Sequence, residues 1–141
     1  IVDNEQVVNK EPQTESKFAW HQDSGYVGYD HKTYLSIWIA LCDINENNGA
    51  LRILPTNLEQ KPKIEEHVWT EKSSDLTMKV QEEKSISCSI AEGGIILFSS
   101  RTPHASYPNK SNKNRPAYLC QYSSEPIIPK GSNTKLRGNL I

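Results

Sequence analysis

The chain has 141 residues, 35% hydrophobic and 23% charged, the composition of one ordinary globular domain. Its 16 Lys and Arg against 17 Asp and Glu leave no basic field to draw nucleic acid or an anionic membrane surface, so the expected partners are small molecules. No apolar run reaches the roughly 18 residues of a membrane helix, and the polar start Ile1-Val2-Asp3-Asn4-Glu5 lacks the regions of an export signal, which makes an intracellular, cytoplasmic location the expectation. The first residue is Ile rather than Met, and the chain is expected to be a piece of a longer protein.

Taken in chain order, Phe18-Ala19-Trp20 is a short strand-like run that gives way to a loop at Ser24-Gly25. Residues 34–42 alternate with period 2, with Leu35, Ile37, Ile39 and Leu41 on one face and Ser36, Trp38 and Ala40 on the other. Neither face suits water, so the strand is expected to be buried on both, under a covering layer on one side and over a cavity on the other. Asn47-Asn48-Gly49 then predicts a hairpin into a strand over 50–54, ended by Pro55, because Asn and Gly tolerate positive φ. Residues 56–84 are polar and nearly aperiodic apart from a short strand near Val68, and so long a connection at a barrel rim is expected to be a lid or disordered. The charge run Gln81-Glu82-Glu83-Lys84 reads as a solvated turn or strand entrance. Strands over 85–90 and 95–99 flank Ala91-Glu92-Gly93-Gly94, a second predicted hairpin, and 117–123 is a further strand starting past Pro116. Residues 124–141 read as an irregular tail. Cys42, Cys88 and Cys120 are an odd number without CxxC spacing, each inside an apolar run, and are expected to be reduced core residues. Short strands, turn residues and little helix predict an all-β barrel or jelly roll.

The chemistry concentrates in His21-Gln22-Asp23, His104 and Arg115. Two imidazoles and a carboxylate can cap one face of an octahedral metal, leaving the opposite face for substrate and dioxygen, as in non-haem Fe(II) oxygenases. Residues i and i+2 of an extended segment point the same way, so His21 and Asp23 can share an ion, with His104 supplied from another strand rim. Alone, an HxD is weak, a solitary loop histidine is weaker, and an arginine among Lys110 and Lys113 is most simply a solvated residue; the order and spacing of the four give them weight together. A guanidinium forks two donors onto a carboxylate, which suits Arg115 to the far end of a keto acid. His31 and His67, with no carboxylate at ligand spacing on a strand, read as ordinary polar residues.

At these residues the sequence resembles the phytanoyl-CoA dioxygenase family. Trp20-His21-Gln22-Asp23, the stretch Leu35 to Leu41 through Glu46-Asn47-Asn48-Gly49-Ala50-Leu51 and Ile53-Leu54-Pro55, and Gly93 to His104 with Ser106 and Arg115 carry the likeness, over about residues 18–123. The resemblance implies Fe(II) on His21, Asp23 and His104, the distal carboxylate of 2-oxoglutarate on Arg115 and Ser106, and Trp38 lining its pocket. It also implies a double-stranded β-helix, and helices and a first strand N-terminal to the HxD segment that this chain is expected to lack. The Leu35, Ile37, Ile39 and Leu41 face is what such helices would cover. Family members commonly follow the proline with Gly-Ser/Thr-His, where this chain has Thr56-Asn57-Leu58.

The expected activity is therefore hydroxylation of a small-molecule C–H bond using Fe(II), 2-oxoglutarate and O2, with release of succinate and CO2 and stimulation by ascorbate. Related iron halogenases replace the carboxylate with a small residue, so the presence of Asp23 disfavours halogenation. A non-catalytic binding module and a cupin-like enzyme that does not use the keto acid are the competing readings.

Overall fold

The computed structural model describes residues 2–57, 59, 62–70 and 75–128, and these form mainly short antiparallel strands. In chain order they are β1 (Val2–Lys10), β2 (Phe18–His21), β3 (Leu35–Ala40), β4 (Leu51–Ile53), β5 (Val68–Trp69), β6 (Leu76–Thr77), β7 (Ile86–Cys88), β8 (Ile95–Ser99), β9 (His104–Ser106) and β10 (Arg115–Tyr122). Eight make two four-stranded sheets, ordered β1-β10-β3-β8 and β2-β9-β4-β7, while β5 and β6 pair with each other. Within β1–β4 and again within β7–β10, successive strands alternate between the two sheets, which is the winding of a double-stranded β-helix. Trp38, Ala40, Phe98 and Ala117 from one sheet meet Leu51 and Ile53 from the other in the main apolar core.

This topology corrects three expectations. The first strand is present: β1 pairs with β10 along most of its length, Lys10 opposite Arg115, Val8 opposite Ala117, Gln6 opposite Leu119 and Asn4 opposite Gln121. It escaped the hydrophobic pattern because Asn4, Gln6 and Val8 line a cavity rather than the core, so the strand carries no apolar period. Neither predicted hairpin forms. Gly49 (φ 84°) and Gly93 (φ 79°) do adopt the left-handed conformation those turns need. The flanking strands nevertheless sit in different sheets, β3 pairing with β8 and β10, and β4 with β7 and β9. An Asn-Gly signal fixes the bend of the chain, not the partner of the strand that follows.

The third correction concerns β3, which is buried on one face only. Ser36, Trp38 and Ala40 are buried, whereas Leu35 and Leu41 are exposed, and beside them on β8 Ile95 and Leu97 are 58% and 61% exposed. Among the described residues no helical layer covers this outward face. β10 begins at Arg115, earlier than expected, and includes Pro116; its pairing with β3 starts only at Ala117 opposite Ala40, so the missing N–H of the proline costs no bond on that side.

The 56–84 connection contains the β5–β6 ribbon and a 3-10 turn at Glu82–Lys84 that leaves the charge run in solvent. Met78 packs with Trp20 and Ala105, fastening the connection to the sheet that holds β2 and β9. Leu58, in the departure from the family's post-proline sequence, and residues 129–141 of the tail lie outside the described residues. All three cysteines are free; Cys120 is buried, while Cys42 and Cys88 are only half-buried. Among the described residues no helix is long and apolar enough to cross a membrane.

Candidate metal centre

β2 and β9 run antiparallel with His21 directly opposite His104, and their rings stand 4.2 Å apart between centroids. Gln22 is extended (φ −111°, ψ 136°), so Asp23 returns to the side of His21 although it already opens a 3-10 turn over Asp23–Tyr26. Asp23 Oδ1 lies 3.8 Å from His21 Nε2 and 3.7 Å from His104 Nε2. One ligand atom from each of the three falls within 4.8 Å of the others, and among the described residues no second such group forms.

The donor set is prepared for a cation. His21 Nδ1 donates to the Ala19 carbonyl at 2.7 Å and His104 Nδ1 to the Thr102 carbonyl at 3.0 Å, because a carbonyl can only accept; these bonds fix the rings with each Nε2 towards Asp23. Burial, followed by the neighbouring His104, pulls the His21 pKa down to about 4, so the ring is neutral and ligand-ready near pH 7. Asp23 Oδ2 is taken up by the Ser36 hydroxyl, which donates at 2.6 Å. Phe98 packs its ring 4.6 Å from that of His104. These features fit a divalent metal held on one face.

The three residues open onto a cavity of about 490 Å³ that Arg115, Ser106 and Trp38 also line, a size suited to a small ligand. Arg115 is 1% exposed, and its Nε and Nη1 have no hydrogen-bond partner. Its guanidinium carbon stands 5.4 Å over the Trp38 ring. Burial lowers its pKa to about 10, which leaves it a cation at neutral pH. A buried cation with donors unused calls for an anion with acceptors to offer. Lys10, its cross-strand neighbour, is buried as well, donating to the Ser16 carbonyl at 3.0 Å with its ammonium 5.1 Å over the Phe18 ring.

The phytanoyl-CoA dioxygenase family model matches residues 3–117. The chain belongs to this family. Curated relatives include a probable alpha-ketoglutarate-dependent hypophosphite dioxygenase of Stutzerimonas stutzeri, 25% identical over 86% of this chain and 45% of that protein. Another is the 2-aminoethylphosphonate dioxygenase of uncultured bacterium HF130_AEPn_1, 28% identical over 75% of this chain and 39% of that one. Among solved structures, EvdO2 from Micromonospora carbonacea var. aurantiaca, complexed with 2-oxoglutarate, superposes with a TM-score of 0.75 at 26% identity, covering 90% of this chain and 54% of that one. The chain thus spans about half the length of the relatives it matches.

In this family member the middle residue of the HxD segment is fully committed. Gln22 is 1% exposed; its amide donates to the carbonyls of Lys63 (2.9 Å) and Arg101 (2.6 Å) and accepts from the Glu65 N–H (2.8 Å). Its own backbone N–H donates to His67 Nε2 at 3.0 Å. His67 thus abuts the metal segment without joining the ligand group, and His31 is engaged elsewhere, with Tyr29 and Ser24. Lining the same cavity, Tyr26 stacks edge-on to His21 (5.5 Å) and to Trp69 (6.1 Å). Gln22, Ser36, Lys10 and His67 were missed as site residues. Only Ser36 left a signal, since the alternation of β3 puts it on the same face as Trp38.

Proposed function

We propose that this chain is the core of an Fe(II)- and 2-oxoglutarate-dependent oxygenase that hydroxylates a C–H bond of a small molecule and releases succinate and CO2. The observation that carries the reading is one cavity holding both the His21, Asp23 and His104 group and a buried Arg115 whose donors are unused. Iron with the keto acid, once bound, supplies the oxidising power of the reaction through dioxygen. His21 and His104 would hold the ion through their Nε2 atoms, and Asp23 through one carboxylate oxygen. Arg115 forks onto the distal carboxylate of 2-oxoglutarate, with the Ser106 hydroxyl beside it and Trp38 forming the wall of that pocket. Tyr26, which lines the cavity, and Trp69, edge-on to it, are the residues assigned to the substrate side.

Retention of Asp23 argues for hydroxylation over halogenation, since a carboxylate occupies the position an added chloride would need. The relatives named for hypophosphite and 2-aminoethylphosphonate support a small-molecule substrate. The direct test incubates the protein with Fe(II), 2-oxoglutarate and ascorbate under oxygen and measures succinate, with consumed metabolites of a cell extract followed by mass spectrometry. Succinate formation that depends on both Fe(II) and Arg115 is expected. A protein that binds metal yet makes no succinate is the non-catalytic module instead, and turnover indifferent to Arg115 belongs to a cupin-like reaction without the keto acid.

A further inference from the structure

The Asp23 carboxylate has two oxygens and only one faces the imidazoles. Oδ1 is the atom 3.8 Å and 3.7 Å from the two Nε2 positions, while Oδ2 accepts the Ser36 hydroxyl at 2.6 Å. A hydroxyl-to-carboxylate bond this short is charge-assisted and about twice as strong as a neutral one. Ser36 is 0% exposed. It sits on the inward face of β3, opposite Gln121 of β10 and Phe98 of β8. Gln121 Nε2 donates to the Ser36 oxygen at 3.4 Å, which leaves the hydroxyl proton for Asp23.

We infer that Ser36 is a positioning residue that keeps Asp23 monodentate, holding Oδ2 off the metal so that the open coordination face stays free for the keto acid and dioxygen. This rests on the proposed metal and 2-oxoglutarate roles. Without the hydroxyl, Oδ2 loses the donor that holds it away from Oδ1's side, and a bound ion would compete for it. Chelation by both oxygens would keep or strengthen metal binding while taking a position on the face the keto acid requires. Loss of 2-oxoglutarate binding without loss of metal binding is the signature of this role. A merely structural role moves both together.

The test uses Ser36→Ala, which removes one buried atom and adds none. Co(II) affinity is measured by titration of its visible absorption, and 2-oxoglutarate affinity by anaerobic titration of the Fe(II) form through its charge-transfer absorption. Expected are a Co(II) affinity within about threefold of the parent and a 2-oxoglutarate affinity weakened about tenfold, a difference of roughly 1.4 kcal/mol. Unchanged 2-oxoglutarate affinity overturns the inference, and so does a parallel loss of both ligands. If neither ligand binds parent or variant, the function proposed above has failed rather than the role of Ser36. Should the alanine variant not stay folded, Ser36→Cys, a weaker donor at the same place, is read by the same two affinities and the same criteria, with a smaller expected loss.

Discussion

The backbone N–H of Gln22 donates to His67 Nε2 at 3.0 Å, tying the middle residue of the HxD segment to a histidine 45 positions along the chain. Gly25 makes this approach possible, because a Cβ there would stand 2.7 Å from the His67 ring. With the three side-chain bonds of Gln22, the metal segment, the 62–67 stretch and the turn before His104 are stitched together at one buried point. Gln22→Ala strands the Glu65 N–H and two carbonyls and is expected to cost about 2–3 kcal/mol, whereas His67→Ala should cost about 1 kcal/mol. Urea midpoints give the two costs, and limited proteolysis should show faster cleavage within 62–70 for Gln22→Ala. An unchanged midpoint for that variant would mean the clamp does not hold the connection.

Trp69 is 65% exposed and meets Tyr26, whose ring also lies edge-on to His21. It does not line the cavity that Arg115 lines. An aromatic contact of this kind contributes about 0.5–1.5 kcal/mol. Trp69→Ala is therefore expected to raise the substrate KM about twofold to tenfold while leaving 2-oxoglutarate binding as it is. Steady-state kinetics against each co-substrate separates the two effects, and equal loss of both counts against a substrate-facing role.

β3 was legible from its alternation, and β8 and β10 as apolar runs bounded by turn residues and Pro116. β1 was not, since Asn4 and Gln6 face a cavity and Lys10 is buried beside Arg115, three polar residues turned inward with no sequence mark to distinguish them from a solvated stretch. Strand pairing was equally hidden. Gly49 and Gly93 announce their turns by composition, but which sheet receives the next strand depends on contacts far along the chain, such as Ile53 opposite His104. At the site, residue types and spacing singled out His21, Asp23 and His104, which the fold brings together, and Arg115, which lines the same cavity. The groups that orient them, Ser36 and Gln22, are common residues whose part is set by distance alone.

Lys10 offers a pH test of this buried polar corner. Burial, and then the charge of Arg115, pull its pKa from 10.5 down to about 8. The unfolded chain therefore holds more protons than the folded one between about pH 8 and 10.5, and stability contributed by this group rises with pH through that window. Below pH 8 both states carry the charge and the full cost of burying it is present. Lys10→Met, of similar length and without charge, should flatten the dependence, gaining relative to the parent at pH 7 and losing that advantage towards pH 10. Denaturant midpoints at pH 7, 9 and 10 for both proteins measure it. Parallel curves would show that Lys10 is not desolvated in solution.

Arg115 is the residue on which the keto acid assignment turns. Its guanidinium is buried over Trp38 with Nε and Nη1 unpartnered, so the chain alone carries the cost of a desolvated cation that a bound carboxylate would relieve. Two consequences follow for binding. Saturating 2-oxoglutarate should raise the melting temperature of the metal-loaded protein, by about 2.7 kcal/mol of added stability at a hundredfold excess over Kd. Arg115→Ala should lose this protection and weaken 2-oxoglutarate binding by roughly 2–5 kcal/mol, one to several orders of magnitude, with metal affinity nearly unchanged. Arg115→Lys should recover only part, since an ammonium restores the charge but not the planar fork. Anaerobic titration of 2-oxoglutarate into the three Fe(II) proteins ranks them, and an alanine variant that binds the keto acid as tightly as the parent removes the reason to place its carboxylate at Arg115.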